Sequence, residues 1–164
     1  MFQVRSRTAT AALAGILIAI GGCSESPSSP AQRQFVLRGA HARFSVSGTA
    51  TAVIDQRGGT LTSTAGDQIV FPAGALSSPT QISITSDETY VGVELQPHGL
   101  RFPAGAQPVL TLNTAGSNAG SLQRVDVAYV DENGKVSEIL PAANGTGALS
   151  TNLKHFSGYT AISH

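Results

Sequence analysis

From residue 35 to the end the chain repeats one pattern: a short run with apolar side chains at every second position, then a cluster of Gly, Pro, Asn or Asp. Ile82 and Ile84 alternate with Gln81, Ser83 and Thr85; Val91, Val93 and Leu95 alternate with Gly92, Glu94 and Gln96. Leu110 and Leu112 in PVLTLNT, and Val125, Val127 and Tyr129 in RVDVAYV, obey the same rule. A period of two sends successive side chains to opposite faces of a strand, so each run has one apolar face to bury. No segment of this part sustains a helical period over three turns. The pattern predicts an all-β fold, an antiparallel β-sandwich of about eight or nine strands whose two sheets share one core. Phe44, Phe71, Phe102, Phe156, Ile69, Ile82, Ile84, Leu95, Leu110 and Leu112 are the expected core. With one cysteine in the chain, burial has to carry stability without a disulfide.

The punctuation is specific as well. Asp131-Glu132-Asn133-Gly134 before KVSEIL predicts a tight hairpin, because Asn-Gly tolerates the positive φ angles such a turn needs. Two carboxylates in that turn fall far short of the roughly six to eight oxygens calcium takes, which favours the hairpin. Asn144-Gly145-Thr146 has the form of a glycosylation sequon and reads better as another hairpin turn. FPAGA occurs at 71–75 and again at 102–106, but the flanking strands do not align, so the two copies read as similar strand-end turns.

The first residues follow another pattern. Arg5 and Arg7 precede an uncharged, nearly all apolar run from Ala9 to Ile20. As a helix that run would rise about 18 Å, short of the roughly 30 Å hydrocarbon core, so a secretory signal is expected rather than a span. Ile20-Gly21-Gly22-Cys23 resembles a lipoprotein lipobox, in which small residues let the signal peptidase close on the backbone and the thiol becomes the lipid thioether. Residues 1–22 are thus expected to be a lipoprotein signal peptide and Cys23 the lipidated residue. Two or three acyl chains there would suffice for stable anchoring. Ser24 after the cysteine, by resemblance to the enterobacterial sorting rule, favours the outer membrane. The Ser/Pro-rich residues 23–34 read as a tether, and 35–164 as the folded domain.

Charge narrows the partners. Beyond the signal, eight Lys and Arg remain against ten Asp and Glu, a balance of −2, with no basic cluster for nucleic acid or anionic lipid. His41, His98, His155 and His164 have no second His or Cys at ligand spacing, so no metal site is expected. No phosphate loop, dinucleotide fingerprint or nucleophile elbow occurs, so no cofactor and no conventional hydrolase is expected.

GGTLTS at 58–63, GDQIVFPAGAL at 66–76, ISI at 82–84, VELQPHGLRF at 93–102, PVLTL at 108–112 and HFSGYTAI at 155–162 follow one another in order. This succession resembles the ZU-five domain over nearly all of residues 50–163. The resemblance implies a β-sandwich that packs against neighbouring modules. It also implies one reaction, since in some relatives a His-Phe-Ser tripeptide in the late strands cuts itself: Ser157 would be the nucleophile, the Phe156 carbonyl the electrophile and His155 the general base.

The chemistry fits that residue order. A hydroxyl directly after the scissile bond can attack the preceding carbonyl through a five-membered ring, and an imidazole with an unperturbed pKa near 6.5 can take its proton. The alternative is an ordinary closing strand, with Phe156, Thr160 and Ile162 facing the core and His155 and Ser157 lining its outer face. Two functions are therefore carried forward. One is a lipid-anchored envelope module that binds a protein or surface polysaccharide, with Phe and Tyr at strand ends as contacts. The other is a domain that cleaves its own Phe156-Ser157 bond.

Overall fold

A computed structural model describes residues 33–39, 48–131 and 133–164. Cys23, the signal run, nearly all of the tether, His41, Phe44 and Glu132 lie outside the described residues. The described residues form twelve strands and no α-helix. They are β1 (Gln34–Phe35), β2 (Thr49–Ile54), β3 (Gly59–Thr62), β4 (Gln68–Phe71), β5 (Thr80–Ser86) and β6 (Gly92–Gln96). There follow β7 (Val109–Asn113), β8 (Val125–Val130), β9 (Val136–Leu140), β10 (Ala143–Gly145), β11 (Ala148–Asn152) and β12 (Gly158–Ser163), with one 3₁₀ turn at Asn118–Ser121. The count exceeds eight or nine because strands as short as β1 and β10 are too brief to show alternation in sequence.

The strands make an antiparallel β-sandwich. One sheet runs β2-β5-β6-β12-β8-β9, and the other β10-β11-β7-β4-β3. β12 sits inside the larger sheet. β8 fills one of its sides along Gly158–Ser163, while β6 takes Gly158–Thr160 and β1 takes Ile162–Ser163 on the other. Val36 completes the junction, giving its N–H to the Ala161 carbonyl at 2.9 Å and accepting from the Val91 N–H at 2.8 Å. β1 starts at Gln34, one residue before the expected domain boundary.

Between the sheets lies one apolar cluster. Phe71, Phe102, Phe156, Ile69, Ile82, Ile84, Leu95, Leu110 and Leu112 are all buried in it, as alternation predicts. The two FPAGA segments contribute in parallel. Each closes a turn with an Ala N–H to Pro carbonyl bond, Ala75 to Pro72 at 3.2 Å and Ala106 to Pro103 at 3.0 Å. Each also delivers its Phe to Phe156, with ring centroids 5.8 and 5.1 Å away and 6.1 Å between Phe71 and Phe102. Edge-on aromatic triangles of this spacing add to the roughly 2 kcal/mol that burying each ring contributes.

Two local expectations change. Phe156, Thr160 and Ile162 do not share a face: Tyr159 and Ala161 enter the core cluster with Phe156, while Ile162 is buried outside it. The reason is a bend at Ser157 ahead of β12, which shifts the alternation by one residue. The hairpin after Ala143 exists, but its turn residues are Thr146 and Gly147, the latter at φ +71°, and Asn144 lies within β10. The Asn133-Gly134 hairpin joins β8 to β9 as predicted, with Gly134 at φ +75° and the Asp131 carboxylate accepting from the Asn133 and Lys135 N–H groups.

One polar cluster was not foreseen. The Arg38 guanidinium, from the segment after β1, pairs with the fully buried Asp67 carboxylate just before β4. Asp67 also accepts from the Ser86 hydroxyl at 2.6 Å and the Asn113 N–H at 2.8 Å. Ser86 ends β5 in the larger sheet and Asn113 ends β7 in the smaller, so this charged node ties both sheets to the N-terminal segment. A buried ion supported by this many hydrogen bonds is costly to leave half paired.

Candidate functional site

Two concave places border the first half of β12. The first surrounds the tripeptide. His155, Phe156 and Ser157 precede β12 in a bent link. Opposite them the chain from β6 to Phe102 bulges: Leu95 N–H bonds the Ser157 carbonyl at 3.2 Å, Gly99 N–H bonds the Phe156 carbonyl at 3.2 Å, and Phe156 N–H bonds the Leu100 carbonyl at 2.8 Å. Gln96, Pro97 and His98 are thus looped out against one peptide bond, Phe156-Ser157. The result is a cleft of about 460 Å³ that His98, Arg101, Tyr129, His155 and Ser157 line.

Phe156 itself is fixed, its ring at 1% exposure inside the aromatic triangle. The Ser157 hydroxyl makes no hydrogen bond among the described residues. Nor does the His155 ring bond it. Instead Tyr159 holds that histidine, with the phenol oxygen 2.6 Å from the His155 carbonyl and 3.3 Å from Nδ1. The edge of Tyr129 packs on the imidazole with centroids 5.0 Å apart. Burial, then the nearby charge of Glu138, pushes the Tyr159 hydroxyl well above the ordinary tyrosine range, so it stays protonated. Its single proton goes to the short contact with the His155 carbonyl. The Nδ1 contact then assigns Nδ1–H as donor, which leaves Nε2 as the ring nitrogen turned to other partners.

The second place is a trough of about 300 Å³ on the face of the larger sheet turned away from the smaller one. Register explains its floor. Thr160 of β12 stands opposite Gly92 of β6, and Gly158 opposite Glu94, so two glycines leave the middle of that face without side chains. A Cβ at Gly92 would meet the Tyr159 carbonyl at 2.8 Å, so the strands themselves demand glycine there. Phe35 at the end of β1 and Tyr90 just before β6 form one wall, their rings 5.4 Å apart and each 39% exposed. Asp87 and Glu94 add two carboxylates.

Phe35 and Tyr90 are aromatic residues at or beside strand ends, and neither is singled out by the sequence. Glu94, Gly99 and Tyr159 were missed as site residues, since nothing local separates them from ordinary strand and turn residues. Among the described residues no three His, Cys, Asp or Glu side chains gather to hold a metal, and no helix is long and apolar enough to cross a membrane. No family model matches this chain, and no curated protein matches it.

Proposed function

We propose that this chain is a ZU-five-like, lipid-anchored module of the bacterial cell envelope that binds a protein or surface polymer and acts on no external substrate. The observation that carries the reading is the Phe35–Tyr90 pair, two aromatic rings kept half in water on the wall of a depression. Large apolar side chains gathered at a concave surface mark recognition more often than packing. The anchor rests on Arg5, Arg7, the apolar run Ala9–Ile20 and the lipobox ending at Cys23, and the outer membrane on Ser24. Two measurements test it. Cys23→Ser should move the protein from the membrane to the soluble fraction; unchanged fractionation removes the anchor. With the anchor removed by Cys23→Ser and the purified protein mixed with isolated cell envelopes, Phe35→Ala with Tyr90→Ala should reduce co-sedimentation about tenfold, and equal pelleting removes the binding module.

A second reading has its own support in the Gly99 N–H that already meets the Phe156 carbonyl. In self-cleavage the Ser157 oxygen forms the new bond to that carbonyl carbon, the carbon–nitrogen bond breaks, and the Ser157 nitrogen leaves as an amine. His155 Nε2 takes the hydroxyl proton and returns it to that nitrogen, while Gly99 donates to the developing oxyanion. Water then hydrolyses the ester. Because both sides of β12 are paired, the severed strand would stay in the sheet. Intact mass under denaturing conditions decides: loss of residues 157–164 that Ser157→Ala prevents supports cleavage, and an unbroken wild-type chain ends it.

A further inference from the structure

We infer that the trough over Gly92 and Gly158 takes a lysine side chain presented by a protein partner. This rests on the reading of the chain as a binding module and names the chemistry of what it binds. The ladder between β5 and β6 sets Thr85 opposite Glu94, and the Asp87 N–H continues it to the Gly92 carbonyl at 2.9 Å. Asp87 therefore stands opposite Gly92 and diagonal to Glu94, which puts the two acidic residues about 7 Å apart at their bases. Nothing rises between them, because Gly92 has no side chain.

Their charges are only partly used. One Asp87 oxygen caps its own turn through the Thr89 and Tyr90 N–H groups, both at 2.7 Å. One Glu94 oxygen meets His98, while the other lies over Gly158, 2.8 Å from where a Cβ there would sit. No Lys, Arg or His is among the described residues lining the trough. Arg38 reaches the carbonyls of Asp87 and Tyr90 from behind, but its charge is matched by buried Asp67.

Two carboxylates and two aromatic faces, with no cation among the described residues of the lining, complement an ammonium group on an apolar stem. The stem packs on the rings, the charge is drawn to their faces, and the carboxylates accept its protons. The size agrees: about 300 Å³ holds one long side chain and is at the lower limit for a separate small molecule. A neutral sugar could donate to the carboxylates but would leave their charge unmatched, which an ammonium does not.

The test is calorimetric titration of the purified full chain with the peptide Ac-Ala-Lys-Ala-amide, the same peptide acetylated on lysine, and a neutral N-acetylglucosamine oligomer. The lysine peptide should bind, weaken about fivefold or more between 50 and 300 mM salt, and lose its heat on acetylation. Glu94→Gln and Tyr90→Leu should each weaken it about fivefold to tenfold. Tyr90→Leu keeps the apolar bulk and removes the π face, so an unchanged melting midpoint separates lost recognition from lost fold. Equal binding of the acetylated peptide, tighter binding of the N-acetylglucosamine oligomer, or indifference to both substitutions overturns the inference. Absent lysine binding beside intact, trough-dependent envelope binding removes only the ligand class; if the trough substitutions alter neither, the module reading falls as well.

Discussion

The two ends of β12 carry aromatic groups of opposite character. Ahead of its first residue, Phe156 joins Phe71 and Phe102 in a closed triangle inside the sandwich. Near its last, Phe35 pairs across from Ile162 and packs at a tilt against Tyr90 with much of both rings in water. Ring spacing overlaps in the two places, 5.4 Å in the pair and 5.1 to 6.1 Å in the triangle, so spacing does not distinguish them. Burial does. The triangle has turned its area into stability, whereas the pair retains apolar surface that another molecule can still cover.

Substitutions break or sharpen that contrast. The largest effect is expected for Phe156→Ala, which empties the centre of the triangle and should cost about 3–5 kcal/mol in urea unfolding. A cost under about 1 kcal/mol would mean that the triangle is not the packed centre.

Asp67→Ala probes the polar counterpart of that interior. It strands the Arg38 charge and frees Ser86 and the Asn113 N–H, and should cost about 3 kcal/mol, whereas Arg38→Met combined with Asp67→Leu should recover most of it. Equal losses in the single and double variants would show that the ion pair, rather than its imbalance, is what stabilises the fold.

Tyr159→Phe is expected to cost about 1 kcal/mol at neutral pH through the bond to the His155 carbonyl. Its pH dependence has a definite sign. Burial raises the folded-state pKa of Tyr159 above the unfolded value of about 10, so its contribution is complete below pH 10 and lost as pH rises further. Wild-type stability should therefore fall above pH 10, and the Phe variant should fall less; parallel curves would show that another group governs the alkaline limb. Smallest of all, Phe35→Ala and Tyr90→Ala should each cost under about 1 kcal/mol. A loss comparable to that of Phe156→Ala would reveal the exposed pair as structural and erase the contrast.

The bend before β12 shows where local pattern stops informing. In sequence, Phe156, Thr160 and Ile162 keep even spacing and look like one face. One residue of irregular backbone at Ser157 reverses that parity, and it faces the Gln96–His98 bulge on a segment some sixty positions away. The same holds for Arg38 and Asp67, whose pairing depends on where the N-terminal segment crosses the sandwich.

The sequence by itself determined the sandwich, its core and most of its turns, because a two-residue period fixes which side chains share a face, and glycine or proline fixes where the chain can reverse. His155, Phe156 and Ser157 were nominated by the likeness of their tripeptide to self-cleaving sites, with which the order of their functional groups agrees. Only the tertiary structure decided that Gly99 meets the Phe156 carbonyl, that Tyr159 takes hold of His155, and that Gly92 and Gly158 adjoin to open a trough between Asp87 and Glu94. Those are consequences of strand order and register, which are set by the packing of the whole and are written in no single segment.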